Sequence, residues 1–140
     1  MLDANILLYA YYVRSVYNER SRIWLEALLS GEETIGLPWV TAWAYVRIST
    51  NRRLSQTPFS PEEAHEIITE LRSTPLVVMV NPGRRHQAIL LEQMLASNVR
   101  GPETTDAVLA ALAIENGATL ASTDVGFRRF PDLTWLNPLA

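Results

Sequence analysis

Thr104-Thr105-Asp106-Ala107-Val108-Leu109-Ala110-Ala111-Leu112-Ala113-Ile114-Glu115-Asn116-Gly117-Ala118-Thr119-Leu120-Ala121-Ser122-Thr123-Asp124 reads as a helix followed almost at once by a strand. The helix is expected from about Asp106 to Asn116, with Thr104-Thr105 offering a cap and Gly117 a stop. It is apolar nearly all round, so it belongs between other layers of structure. Thr119 to Thr123 is then a strand with Asp124 at its C-terminal end. Upstream, Leu76-Val77-Val78-Met79-Val80 is a continuous β-rich run of the kind found in a parallel strand covered on both faces. A helix from about Arg84 to Ser97 separates the two strands.

The same alternation extends to both ends of the chain. Ser60-Pro61-Glu62-Glu63 has the N-cap, first-turn proline and third-position glutamate of a helix start, running to about Arg72. Thr34-Ile35-Gly36-Leu37 is a short strand ending at Pro38, and a helix follows from Trp39 to Asn51. Asn18 to Ser30 places Ile23, Trp24, Ala27 and Leu28 on one face, and Gly31 closes that helix. Asp3 opens a strand-to-helix turn into Ala4–Tyr11; only two residues precede it, so the first strand is very short unless the native start lies upstream. Thr134-Trp135-Leu136 is a last short strand. Alternating helices and strands predict an α/β sandwich with a mostly parallel sheet, in one domain over residues 1–140.

Composition narrows the chemistry. With no cysteine among 140 residues, disulfides and thiolate metal sites are excluded, so any metal must be held by oxygen or imidazole. No apolar run approaches the roughly 20 residues that cross a bilayer and no signal peptide is visible, so a cytoplasmic, membrane-free protein is expected. A net charge of −3 argues against a broadly basic nucleic-acid surface. All 12 basic residues are arginine, for which a GC-rich genome is a simpler account than bidentate phosphate recognition.

The 15 acids include only four aspartates. The glutamates fall mostly on solvated helix faces, such as Glu62, Glu63, Glu66 and Glu70. Aspartate is a poor interior-helix residue, so each invites a reason. Asp132 lies in a Phe-Pro-Asp turn, while Asp3 and Asp124 sit at strand ends and Asp106 at a helix start. Sites in parallel α/β sheets form outside the carboxyl ends of the strands, where these three could meet. Carboxylates brought together repel, and a hard cation such as Mg²⁺ or Mn²⁺ relieves them. Any one of them alone is as well explained as a helix-terminus acid or a turn cap.

The local sequences around the aspartates carry more. Asp3-Ala4-Asn5-Ile6-Leu7-Leu8-Tyr9-Ala10, Thr105-Asp106-Ala107 with Leu109-Ala110-Ala111-Leu112-Ala113, and Ser122-Thr123-Asp124-Val125-Gly126-Phe127-Arg128-Arg129-Phe130-Pro131 resemble the VapC toxins, PIN-domain ribonucleases of bacterial toxin–antitoxin pairs. The likeness runs over essentially the whole chain, including Leu37-Pro38-Trp39, Arg47-Ile48-Ser49-Thr50-Asn51 and Trp135-Leu136-Asn137-Pro138-Leu139. It implies a PIN-like three-layer sandwich, a central mostly parallel sheet flanked by helices. It also implies a Mg²⁺- or Mn²⁺-dependent endoribonuclease, the toxin of a type II toxin–antitoxin system, held inactive by a VapB-like antitoxin and commonly a homodimer. On that likeness Asp3 and Asp106 are principal metal ligands, Asp124 completes the acidic cluster, and Asn5 and Thr123 orient it by hydrogen bonds. Water, not a side chain, is the implied nucleophile.

One position departs from the family. Many PIN domains place a glutamate two or three residues before the arginine of the helix after the second strand. Here that run reads Trp43-Ala44-Tyr45-Val46-Arg47, so Ala44 stands at the expected acid. A natural branch, an engineered Glu→Ala change and a degenerate enzyme are competing explanations, the first favoured by the self-consistent apolar helix around it. The alternative function is therefore a weakened or inactive PIN module that binds RNA or antitoxin without cleavage. Glu103, three residues before Asp106, is either a partial substitute or a solvated loop acid. An acidic-pocket phosphohydrolase would want a second acid two residues after Asp3, where Asn5 stands.

Arg47, Arg100 and Arg128 are candidate phosphate contacts, although helical arginines are more commonly solvated or carboxylate-paired. His65 and His86 show no metal-ligand spacing. Trp24, Trp39, Trp43 and Trp135 read as core or interface residues.

Overall fold

The computed structural model describes residues 1–140. Helices α1 (Ala4–Tyr11) and α2 (Asn18–Leu29) lead to strand β1 (Ile35–Pro38), followed by α3 (Trp39–Ser49) and α4 (Pro61–Ser73). Strand β2 (Val77–Val80), helix α5 (His86–Ser97), helix α6 (Thr104–Glu115) and the short strands β3 (Leu120–Ala121) and β4 (Trp135–Leu136) complete the order. Single 3₁₀ turns occupy Gly101–Glu103 and Val125–Arg129.

β1 pairs with β2 and β3 with β4, both in parallel. The first three residues join the two pairs. Leu2 N–H donates to Gly36 at 3.0 Å, Asp3 N–H to Ala121 at 3.1 Å, and Ala121 N–H to the Met1 carbonyl at 2.8 Å. The hydrogen-bonded order across the sheet is therefore β2, β1, Met1–Asp3, β3, β4. The very short first strand expected from sequence is its middle member.

Helices cover both faces of this sheet. One cluster of 12 buried residues gathers Leu7, Ala10, Leu25, Tyr45, Ala64, Ile68 and Leu71 from α1 to α4. A second of eight gathers Ala107, Leu109, Ala110 and Ala113 of α6 with Leu120, Phe127 and Phe130. The central place predicted for α6 holds, because Ala107 and Leu109 to Ala113 are all buried. Small alanines let α5 and the sheet approach that helix closely.

Termini follow local chemistry. Ser60 and Glu63 form a reciprocal capping box, with bonds of 3.0 and 3.1 Å and Pro61 in the first turn. Gly117 closes α6 at φ +60°, a left-handed conformation that costs a side chain.

Four local expectations need correction. On α2 the inward face is Ser21, Trp24, Leu25 and Leu28, while Ile23 and Ala27 face solvent. Ser21 is tolerated inside because its hydroxyl donates to the Ile6 carbonyl at 2.9 Å. β2 is an edge strand, with Val78 52% exposed, so only one face is well covered. α6 begins at Thr104, directly after the 3₁₀ turn, and no side chain caps it; Asp106 is its third residue. Asp124 lies three residues beyond β3, because pairing with the two-residue β4 stops at Ala121. No helix is long and apolar enough to cross a membrane.

Candidate active site

Where the Met1–Asp3 segment and β3 end, two chain segments exchange hydrogen bonds. Asp3 is the N-cap of α1, and its Oδ1 accepts from Ala4 N–H at 2.7 Å. Its Oδ2 accepts from the Ser122 hydroxyl at 2.6 Å, a short charge-assisted bond. Ser122 is fully buried. Its Oγ in turn accepts from Asn5 Nδ2 and from Asp124 N–H, both at 3.1 Å. Asn5 Oδ1 accepts from Thr123 N–H at 3.4 Å. The indole of Trp135 donates to the Ser122 carbonyl at 3.0 Å and secures the same loop from β4.

Asp124 caps the turn Val125–Arg129 by accepting from Gly126 N–H at 2.8 Å, and it is exposed. Asp106 enters from the first turn of α6 and meets Arg129, whose Nη2 donates to Oδ2 at 2.8 Å. Nη1 of the same guanidinium donates to Glu103 at 2.9 Å.

The electrostatics tie the three aspartates together. Burial pushes the Asp3 carboxyl above its ordinary value; the Ser122 and Ala4 hydrogen bonds pull it back, and Asp124 pushes it up again. Burial likewise raises Asp106; Asp124, Asp3 and Glu103 add to the rise, and Arg129 opposes it. For Asp106, burial and three neighbouring acids together outweigh the guanidinium in contact with it.

Asn5 bonds the Ser122 hydroxyl and the Thr123 N–H and no aspartate directly, and Thr123 contributes its backbone N–H and not its hydroxyl. Ala44 is half-buried on α3, one turn from Thr41, whose hydroxyl donates to the Leu2 carbonyl beside Asp3. Arg47 and Arg100 are exposed and make no ion pair. Arg128 lies over the Trp135 ring at 5.1 Å. His65 is exposed on α4, and Trp43 is 64% exposed on α3, a surface residue and not a core one.

Sequence reasoning missed Ser122 and Arg129. The signal for Ser122 was its place two residues before Asp124, the spacing at which a hydroxyl reaches a backbone N–H. Arg129 was overlooked beside Arg128; only the tight 3₁₀ turn turns one of them toward α6.

Residues 1–133 match the PIN domain family. The chain belongs to the PIN-domain family, in its VapC branch. It is 36% identical to ribonuclease VapC37 of Mycobacterium tuberculosis, covering 100% of this chain and 97% of the relative. Ribonuclease VapC43 of the same organism is 38% identical over 99% of this chain and 94% of its own length. Among solved structures, VapBC2 from Rickettsia felis bound to a promoter DNA fragment superposes with a TM-score of 0.69. It is 19% identical, covering 98% of this chain and 96% of that one, a likeness of fold. VapBC-1 from nontypeable Haemophilus influenzae does so at 0.66, with 20% identity over 99% and 96%.

Proposed function

We propose that the protein is an endoribonuclease toxin of a type II toxin–antitoxin pair, hydrolysing RNA with a divalent ion, Mg²⁺ or Mn²⁺, held by Asp3, Asp106 and Asp124. The observation that carries this reading is that Asp3 and Asp106, each raised first by burial, are both raised further by the charge of Asp124. The donors are all oxygen, which suits a hard cation. They do not by themselves close into a compact three-ligand cluster, so water completes the shell on this reading. When bound, the ion would supply a Lewis acid that activates water and neutralises charge on the phosphodiester.

The protein's own part is positional. Ser122 holds Asp3 by donating to it, and Asn5 with the Asp124 N–H fixes Ser122. Arg47 and Arg100, exposed and unpaired, suit phosphate contacts, and Arg128 is steered by Trp135. The absence of an acid at Ala44 leaves one carboxylate fewer, which weakens metal affinity without unmaking the fold.

An antitoxin of VapB type fits a second surface. An apolar cavity of about 290 Å³ lies between α1, α3 and the 50–59 loop, lined by Leu8, Tyr9, Tyr12, Tyr45, Ile48 and Phe59 among others. Val13, Val16 and Leu54 are exposed on its flanking segments, and these also carry Arg14, Arg52 and Arg53. An amphipathic acidic segment complements such a groove. A homodimer in the cytoplasm, as one domain, completes the proposal.

The test is cleavage of RNA by purified, antitoxin-free protein in Mn²⁺ or Mg²⁺ and in EDTA. Metal-dependent cleavage lost in Asp106→Asn and Asp124→Asn is expected. Cleavage that survives EDTA or both substitutions refutes the site. Mn²⁺ binding without cleavage at any metal concentration favours the non-cleaving module that Ala44 suggests.

A further inference from the structure

Only two arginines of the chain pair with a carboxylate. Arg22 meets Glu26 loosely at 3.9 Å on an exposed helix face, and Arg129 meets Glu103 and Asp106 at 2.9 and 2.8 Å. Arg129 is held in place by its turn. Its neighbours Phe127 and Phe130 are buried in the core, its guanidinium carbon lies 5.2 Å from the Phe130 ring, and its Nε is buried without a partner. A guanidinium so seated keeps its full charge and its planar fork aimed at α6.

We propose that Arg129 is a built-in counter-cation of the acidic cleft, a positioning residue that occupies Asp106 in the metal-free protein and thereby sets divalent-ion affinity downward. The inference rests on the metal-dependent reading above. Asp3, Asp124 and Glu103 all act on Asp106 as like charges, and Arg129 is the one arginine that pairs with any of these four acids. A metal-free cluster of that kind is costly, and the guanidinium lowers the cost. A divalent ion approaching Asp106 meets the same guanidinium as a like charge and competes with it for Oδ2. Glu103 gives the displaced cation a second seat: it is the more exposed partner and already holds Nη1. Arg129 therefore remains anchored through Glu103 while Asp106 turns to the ion. Metal loading is then an exchange of one cation for another, which explains how the cluster stays folded when empty.

The experiment is Mn²⁺ titration of the full chain, read as loss of the free-ion EPR signal, for the wild type, Arg129→Gln and Arg129→Lys. Arg129→Gln is expected to bind Mn²⁺ about tenfold more tightly, and Arg129→Lys to stay within about threefold of wild type. Equal or weaker binding in Arg129→Gln overturns the inference and leaves the metal reading standing. If the wild type takes up no Mn²⁺ at millimolar concentration, both fall together. A measurement on the unaltered protein guards against a variant that does not fold. On adding Mg²⁺, the side-chain Nε–H resonance of Arg129 should shift as Asp106 is released, and an unmoved resonance refutes the exchange.

Discussion

Replacing Ser122 with alanine removes the one side chain that hydrogen-bonds both Asp3 and Asp124. Its hydroxyl donates to Asp3 at 2.6 Å and accepts from Asn5 and from Asp124 N–H, each at 3.1 Å, at a fully buried position. A hydrogen bond to a charged partner contributes about 1.5–3 kcal/mol and a neutral one about 1 kcal/mol. Asp124 is exposed, so water restores part of the loss there. The expected destabilisation of Ser122→Ala is thus about 2–4 kcal/mol. The substitution also has a signature that mere loss of packing lacks. Ser122 is the larger of two hydrogen bonds that hold the Asp3 carboxyl down against its burial. Without it Asp3 ionises at higher pH, and the pH of half-maximal Mn²⁺ binding moves upward with it. Urea denaturation gives the first quantity and Mn²⁺ titration from pH 5 to 8 the second. A loss under about 0.5 kcal/mol together with an unmoved pH profile would refute the role given to Ser122.

Asp106→Asn should slightly stabilise the metal-free protein near pH 7. The folded-state pKa of Asp106 is raised, so the native state binds the proton more tightly than the unfolded chain. The resulting cost is present above the folded value and fades as pH falls toward the ordinary 3.8. The gain, about a few tenths of a kcal/mol after solvent screening, should shrink toward pH 4 in EDTA denaturation curves; a gain that grows with acidity contradicts the sign. Gly117→Ala forces a side chain to φ +60° and should cost about 1 kcal/mol in urea midpoint analysis. Ser60→Ala removes the capping box of α4 and should cost about 0.5–2 kcal/mol by the same assay, without altering Mn²⁺ binding. Leu7→Ala, fully buried in the larger cluster, should cost about 2–5 kcal/mol.

The parts of the molecule legible in sequence are those governed by contiguous residues. The capping box at Ser60, the stop at Gly117 and the buried run of α6 each depend on chemistry within a turn or two of chain. Asp3, Asp106 and Asp124 stand out in the sequence because aspartate is scarce and each lies at a predicted element boundary. Errors arose where burial depends on what lies opposite. Val78 reads as an interior strand residue but is exposed because the first core cluster covers the opposite face of β2, that of Val77 and Met79. Ile23 and Ala27 read as the inward face of α2 but face solvent, and Ser21 takes an inward place because its hydroxyl reaches the Ile6 carbonyl. Arg128 and Arg129 are indistinguishable as letters, and only the seating of Phe127 and Phe130 sends the second toward Asp106.

The sequence by itself therefore determined the order of helices and strands, the family, and the three aspartates of the proposed site, because periodicity, capping and motif are properties of neighbouring residues. Tertiary structure alone decided that Met1–Asp3 is the middle of the sheet, that Ser122 is the hinge of the network, and that Arg129 holds Asp106. Those depend on contacts across 23 to 119 positions of chain, and a hydrogen bond over that separation exists only once packing has brought its two ends together.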